Sequence, residues 1–296
     1  MRIGLSIDDR GLAHGDLVAE LRDAAEVGFA GFWLGQHTAG DALTSLAVAG
    51  SAVADIRIGT AVVPTYPRHP LALAAQALTV QAATGNRLDL GIGTSHRAII
   101  ADQLGYSFHK PARHLREYLT ALRPLLRGEV VDFHGETLTA AGRIDVPGAS
   151  APALLVAALG PVMLRIAGEL ADGTITVWAG PNALEKHIVP ELHRAADDPR
   201  VVAMVSVCVT ADAADARGRF VAQFGGAGNL PSYRAVLDRE GVAGPEEVAV
   251  IGDEESVARQ LRRLVAAGAT EFIAVPYGTP EEQLRTRNLL AELNTA

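Results

Sequence analysis

The sequence predicts an α/β fold, a (β/α)₈ barrel, and three observations carry that expectation. Short apolar runs alternate with segments of helical period eight times along the chain, the pattern of a parallel sheet covered by helices. The 296 residues suit one such barrel without a second domain. The two stretches that break the alternation follow helix four and strand seven, where a barrel tolerates insertions. A doubly wound open sheet is the runner-up.

Taken in order, Arg2 to Ile7 is a short apolar run closed by Asp8, Asp9 and Gly11, a buried strand. Leu17, Leu21, Ala24 and Ala25 then recur at helical spacing, with Gly28 suited to end the helix. Gly31 to Leu34 is strand two and Asp41 to Ala54 an alanine-rich helix. Ile56 to Val63 is strand three, and Pro70 opens a helix running to Thr84, proline being suited to a first turn. Arg87 to Ile92 with Ala112 to Arg127, Leu154 to Ala158 with Pro161 to Ala171, and Thr174 to Trp178 with Asn182 to Ala195 form the fourth to sixth units. Val201 to Thr210 is strand seven, with its helix at Glu254 to Ala267. Glu271 to Val275 and Pro280 to Leu293 close the set. Between helix four and strand five, Val130 to Leu138 reads as a small hairpin. The stretch from Asp212 to Val250 reads as helical. Both are excursions from a single domain spanning residues 1–296.

Composition narrows the function classes. The net charge of −8 opposes general binding to nucleic acid or anionic lipid. No apolar run is long enough to span a membrane, and no signal peptide opens the chain, so a cytoplasmic protein is expected. Cys208 stands alone, which rules out an intrachain disulfide and a cysteine-built zinc site. None of the nine histidines pairs in a metal-binding spacing, so no metal is expected.

In such barrels the chemistry lies just beyond the C-terminal ends of the strands. Those positions hold Asp8, then Gln36 and His37, then Gly93, Thr94, Ser95 and His96, then Leu159, Gly160 and Pro161, and finally Trp178. His37 and His96 are the candidates for proton transfer near neutral pH. Asp8, Gln36 and Trp178 are the candidates for substrate contact. The Gly91 to His96 stretch is not a dinucleotide fingerprint, because His96 occupies the third glycine position. Its hydroxyls and amides suit either a phosphate or an ordinary tight turn. Gly160 and Pro161 opening a helix suit either an anion or simple capping.

Three segments carry a family resemblance. They are Arg57 to Pro64, Arg68 to Ala74 and Asn86 to Gly93. Together they resemble the central signature of luciferase-like monooxygenases. Ala157 to Gly173 is similar to the corresponding block of the members that use the deazaflavin coenzyme F420. The resemblance implies a cofactor across the barrel mouth and a small-molecule substrate, often in a homodimer. It places Thr60, Ala61 and Val62 against the ring, with a non-prolyl cis peptide at Ala61-Val62. It assigns the phosphate arm to Gly93, Thr94 and Ser95 and to the block Ala158, Leu159, Gly160, Pro161, Val162 and Met163. The implied activity is hydride transfer at C5 of F420. The alternatives are an FMN-dependent two-component monooxygenase, or a cofactor-binding protein that has lost catalysis. Two departures stand out. Gln36 replaces the acid that often precedes His37 in relatives, and His96 replaces the glutamate of sugar-phosphate dehydrogenases. With only Lys110 and Lys186 as lysines, a sugar-phosphate substrate is disfavoured.

Overall fold

A computed structural model describes residues 1–36 and 40–295. Eight parallel strands close into a barrel. They are β1 (Ile3–Ser6), β2 (Gly31–Leu34), β3 (Arg57–Thr60), β5 (Leu88–Gly93), β8 (Ala153–Ala157), β9 (Gly173–Val177), β10 (Arg200–Val209) and β12 (Glu271–Pro276). Each pairs with the next, and closure comes from β10 pairing with both β9 and β12. The helices between them are α1 (His14–Val27), α2 (Ala42–Ala52), α3 (Pro70–Ala83), α4 (Pro111–Leu126), α5 (Pro161–Leu170), α10 (Glu254–Ala266) and α11 (Pro280–Thr295). After β9 comes a composite helix made of α6 (Pro181–Ala183), a π-helical turn (Leu184–Ile188) and α7 (Val189–His193). The (β/α)₈ expectation therefore holds.

Local chemistry explains the element ends. Gly28 closes α1 in the left-handed region at φ 94°, a conformation glycine adopts without a Cβ penalty. The Asp41 carboxylate accepts from the Thr44 amide at 2.9 Å and caps α2. His69 caps α3 ahead of Pro70.

The structure refines four sequence expectations. Strand three is broken: β3 ends at Thr60, and pairing with β5 resumes at β4 (Val63–Pro64) beyond a cis peptide at Ala61-Val62. The hairpin after α4 is β6 (Val131–His134) with β7 (Thr139–Gly142). The insertion after β10 is helical, as α8 (Ala213–Phe224) and α9 (Pro231–Glu240), but it ends in a strand, β11 (Val250–Gly252), paired to β10. A π-helical turn at Ala98–Gln103 also follows β5.

The barrel interior is filled by side chains. Trp33 is buried inside, and its indole occupies the space that side chains at Gly4 and Gly59 would need. Leu155, Ile175, Val202 and Ile273 pack with it. At the N-terminal ends of the strands, Arg57 and Arg200 both donate to Asp89, which is 1% exposed, and Arg200 also binds Glu271.

Candidate active site

The open end of the barrel holds a cavity of about 450 Å³. One wall is the broken third strand. The Ala61 amide donates to Leu34 O at 2.8 Å and the Gln36 amide to Val62 O at 3.3 Å, so the cis turn is tied to the end of β2. Ala61 and Val62 thereby line the cavity together with Ile175 and Val177 of β9, and they pack against the cluster that holds Ile175. Gly93 forms part of the floor; a Cβ there would lie 3.1 Å from both Val62 Cγ2 and the Ala157 Cβ. These surfaces make an apolar slot.

The polar ends of the slot come from two strand-to-helix turns. Beyond β5, Thr94, Ser95 and His96 line the cavity, and Ser95 sits in the left-handed region at φ 58°. Beyond β8, Ala158, Leu159, Gly160 and Met163 line it. Gly160 begins α5 with no side-chain cap. The amides of Val162 and Met163 belong to the first turn, where a helix has no internal acceptors and carries a partial positive charge. The proline ahead of them has no amide to offer.

His96 Nε2 lies 3.2 Å from the Tyr233 hydroxyl, and the rings meet edge to face at 5.0 Å. Burial holds the imidazole below its ordinary value and the phenol above its own. At neutral pH the pair is therefore an uncharged imidazole beside an uncharged phenol. Trp178, in the left-handed region at φ 52°, packs edge-on against Tyr233 at 4.7 Å.

A second cavity of about 550 Å³ adjoins the first and shares Gln36, Pro64 and Ser95 with it. Its other walls include Arg10, Arg68, Ile99, Gln103 and Leu104. A larger cleft of about 660 Å³ opens on the flank, walled by loop and hairpin residues such as Tyr66, His109, Lys110 and Thr137. Its Lys110 is paired with Glu136, and it reaches the barrel only through Thr65 to Arg68 beyond β4. Among the described residues no group of acids, histidines and cysteine could hold a metal ion. No described helix is long and apolar enough to cross a membrane.

The sequence-predicted residues divide clearly. Ala61, Val62, Gly93, Thr94, Ser95, His96, Ala158, Leu159, Gly160, Met163 and Gln36 come together around the slot. Thr60 does not reach it: its hydroxyl donates to Gly91 O at 2.8 Å and accepts from the Gly91 amide at 2.9 Å. Pro161 and Val162 are exposed and offer backbone rather than side chain. Asp8 is exposed and accepts from Arg10 Nε at 2.7 Å, while Arg10 itself reaches the second cavity. Trp178 stands behind Tyr233. His37 lies outside the described residues. Gln36 is engaged as a brace, since Oε1 accepts from the Ala42 amide and Arg68 and Nε2 donates to Gly40 O.

Sequence reasoning missed Ser232, Tyr233, Ala235 and Arg239, all on α9 and all lining the slot. Their one sequence signal is position: an insertion after a barrel strand emerges on the catalytic face.

The sequence profile of the luciferase-like monooxygenase family matches residues 3–271. The chain belongs to this family. This luciferase-like chain is an oxidoreductase, in keeping with its relatives. It is 28% identical over 248 residues to a Mycobacterium tuberculosis protein provisionally named a coenzyme F420-dependent oxidoreductase, covering 73% of this chain and 69% of that one. Its fold matches an F420-dependent secondary alcohol dehydrogenase solved with an F420–acetone adduct, at TM-score 0.81 and 17% identity over 98% of this chain and 97% of that one. It also matches the FMN-bound oxygenating constituent of 3,6-diketocamphane monooxygenase from Pseudomonas putida. There the TM-score is 0.76 and the identity 15%, over 99% of this chain and 97% of that one.

Proposed function

We propose that this luciferase-like protein is an F420-dependent oxidoreductase that moves a hydride between C5 of the deazaflavin and a small organic substrate. The observation that carries the reading is the slot itself. Its lining combines apolar side chains, Ala61, Val62, Ile175 and Val177, with the hydroxyls of Thr94 and Ser95 and the uncapped N-terminus of α5 at Gly160. A flat ring bearing a phosphate arm needs that combination, and the donor set present fits it. The Mycobacterium relative supports F420 as the ring system.

When bound, the deazaflavin supplies a carbon-centred hydride donor or acceptor. The chain's own residues position and manage protons. Ala61 and Val62 back the ring, while Thr94, Ser95 and the amides of Val162 and Met163 hold the arm. His96, uncharged and bonded to Tyr233, can give or take a proton at a substrate oxygen. His37 is proposed for the same role from its place after strand two. Gln36, an amide, cannot act as a base; it holds the loop beyond β2 to α2 and Arg68. We further propose that residues 1–296 work as one unit in a cytoplasmic homodimer, which sedimentation of the purified protein would check.

The second reading is an FMN-dependent two-component monooxygenase, supported by the FMN-bound structure with this fold. Anaerobic assays with oxidised F420 and a panel of secondary alcohols, run beside aerobic assays with reduced FMN, separate the two. The F420 reading expects bleaching of the deazaflavin with some member of the panel, reduced in His37→Ala and His96→Asn. Oxygen uptake with reduced FMN, and no F420 turnover with any substrate, would contradict it.

A further inference from the structure

The insertion after β10 lays α9 over the slot and brings one cation with it. Arg239 lines the cavity from the last turn of α9. Its guanidinium donates only to Ala235 O, one turn back, at 3.2 Å, and among the described residues it has no acidic partner. The other arginines near the mouth differ. Arg10 is neutralised by Asp8 and Arg68 by Asp41.

We infer that Arg239 is the counter-charge for the cofactor's phosphate, sharing the cavity with Leu159, Gly160 and Met163 around the uncapped N-terminus of α5. Four observations bear on its place. His187 Nε2 lies 3.1 Å from Leu159 O, and burial first, then the positive charge of Arg239, holds its imidazole below the ordinary value, in keeping with the cavity that Arg239 lines together with Leu159 and Gly160. The neighbouring Glu240 carboxylate accepts from the Ala183 amide at 2.7 Å and the Asn182 amide at 3.3 Å, which pins the end of α9 to α6. Gly180 makes room for that carboxylate, because a Cβ there would lie 2.4 Å from Glu240. Arg234 adds a second tie, donating to Ala243 O at 2.6 Å and Val242 O at 2.7 Å. A solvent-exposed cation without an acidic partner among the described residues thus stands on an anchored helix and lines the same cavity as the start of α5, and together they suit an anion. A guanidinium also matches phosphate oxygens better than an ammonium does.

This assignment rests on the reading that a phosphate-bearing ring occupies the slot, but not on which ring. The test compares ligands with and without the phosphate arm: FMN against riboflavin, which differ by the phosphate alone and decide the assignment, and F420 against its phosphate-free deazaflavin core, which also lacks the side arm beyond the phosphate. Binding is read by ligand fluorescence. Arg239→Ala is expected to weaken whichever phosphate-bearing ligand the wild type binds by about ten- to a hundredfold, the range of a charge-assisted hydrogen bond. The phosphate-free partner should bind both proteins alike, and Arg239→Lys should retain part of the difference. Equal loss for both members of a pair would assign Arg239 to the shape of α9 and overturn the inference. So would no loss for either. A wild-type protein that binds none of the four ligands would overturn the cofactor reading, and this assignment with it. Loss of phosphate selectivity alone distinguishes the two.

Discussion

At the scale of single residues, burial lowers the pKa of particular imidazoles and raises that of particular phenols. His96 and Tyr233 are the pair inside the slot. His114 lies outside it, stacked on Tyr66 with centroids 3.9 Å apart and bonded to Thr65 Oγ1 at 3.0 Å. Burial, opposed only by Glu117, pushes the His114 imidazole down from 6.5 to about 4. In the unfolded chain the same ring takes its proton near the ordinary value. The neutral native ring therefore contributes stability above pH 6.5, and that contribution is lost as the pH falls from 6.5 toward 4. His114→Phe keeps the stacking and removes the titration. Denaturant unfolding across that pH range should show a shallower acid-side loss of stability in the variant than in the wild type. An unchanged slope would place the titration elsewhere.

At the scale of elements, the segments that carry the family resemblance supply architecture as well as cavity wall. Arg87 donates to Thr84 O at 2.7 Å, Gly50 O at 2.6 Å and Val53 O at 2.9 Å, tying α2, α3 and β5 together. Gly91 lies against the backbone of β3, where a Cβ would stand 2.0 Å from Thr60 O. Gly91→Ala is expected to lower stability by about 2–3 kcal/mol through overpacking and to disturb the Thr60 pairing, read as a lower urea midpoint at unchanged slope. Wild-type stability in that variant would mean that β3 can move aside.

The eight strands and their helices were legible because buried strands and amphipathic helices impose different periods on the chain. Residue patterning alone did not mark the break in strand three, since Ala61-Val62 continues the run of Ile58 to Val63; the family resemblance did, placing a non-prolyl cis peptide at Ala61-Val62, where the structure has one. The strand Val250–Gly252 was also hidden, being three residues long behind two helices. Within the site, Gly93 to His96 and Leu159 to Gly160 could be found because the ends of barrel strands are predictable. Arg239 and Tyr233 could not, because helical periodicity within α9 says nothing about which strand ends it will cover.

At the scale of the whole molecule, the barrel separates stability from chemistry along its axis. The closed end is held by charge. Arg57 Nη2 and Arg200 Nη1 lie 2.7 and 3.0 Å from the same Asp89 oxygen, and Arg200 Nη2 lies 2.9 Å from Glu271. Burial alone would raise the Asp89 carboxyl, but the hydrogen bonds from Arg57 and the charge of Arg200 hold it below its ordinary value. Asp89→Asn takes from Arg57 its carboxylate partner and leaves Arg200 with Glu271 alone, and should cost about 3 kcal/mol, read by thermal or denaturant unfolding. Ligand binding at the far end should survive wherever the variant folds. The open end is apolar in its walls and carries its polar groups at the phosphate end and at His96–Tyr233.

That division makes cofactor identity the decisive question, and equilibrium titration of the purified protein with F420 and with FMN answers it most directly. The account predicts saturable F420 binding, tighter than FMN binding under the same conditions. Saturable FMN binding with none for F420 would contradict it.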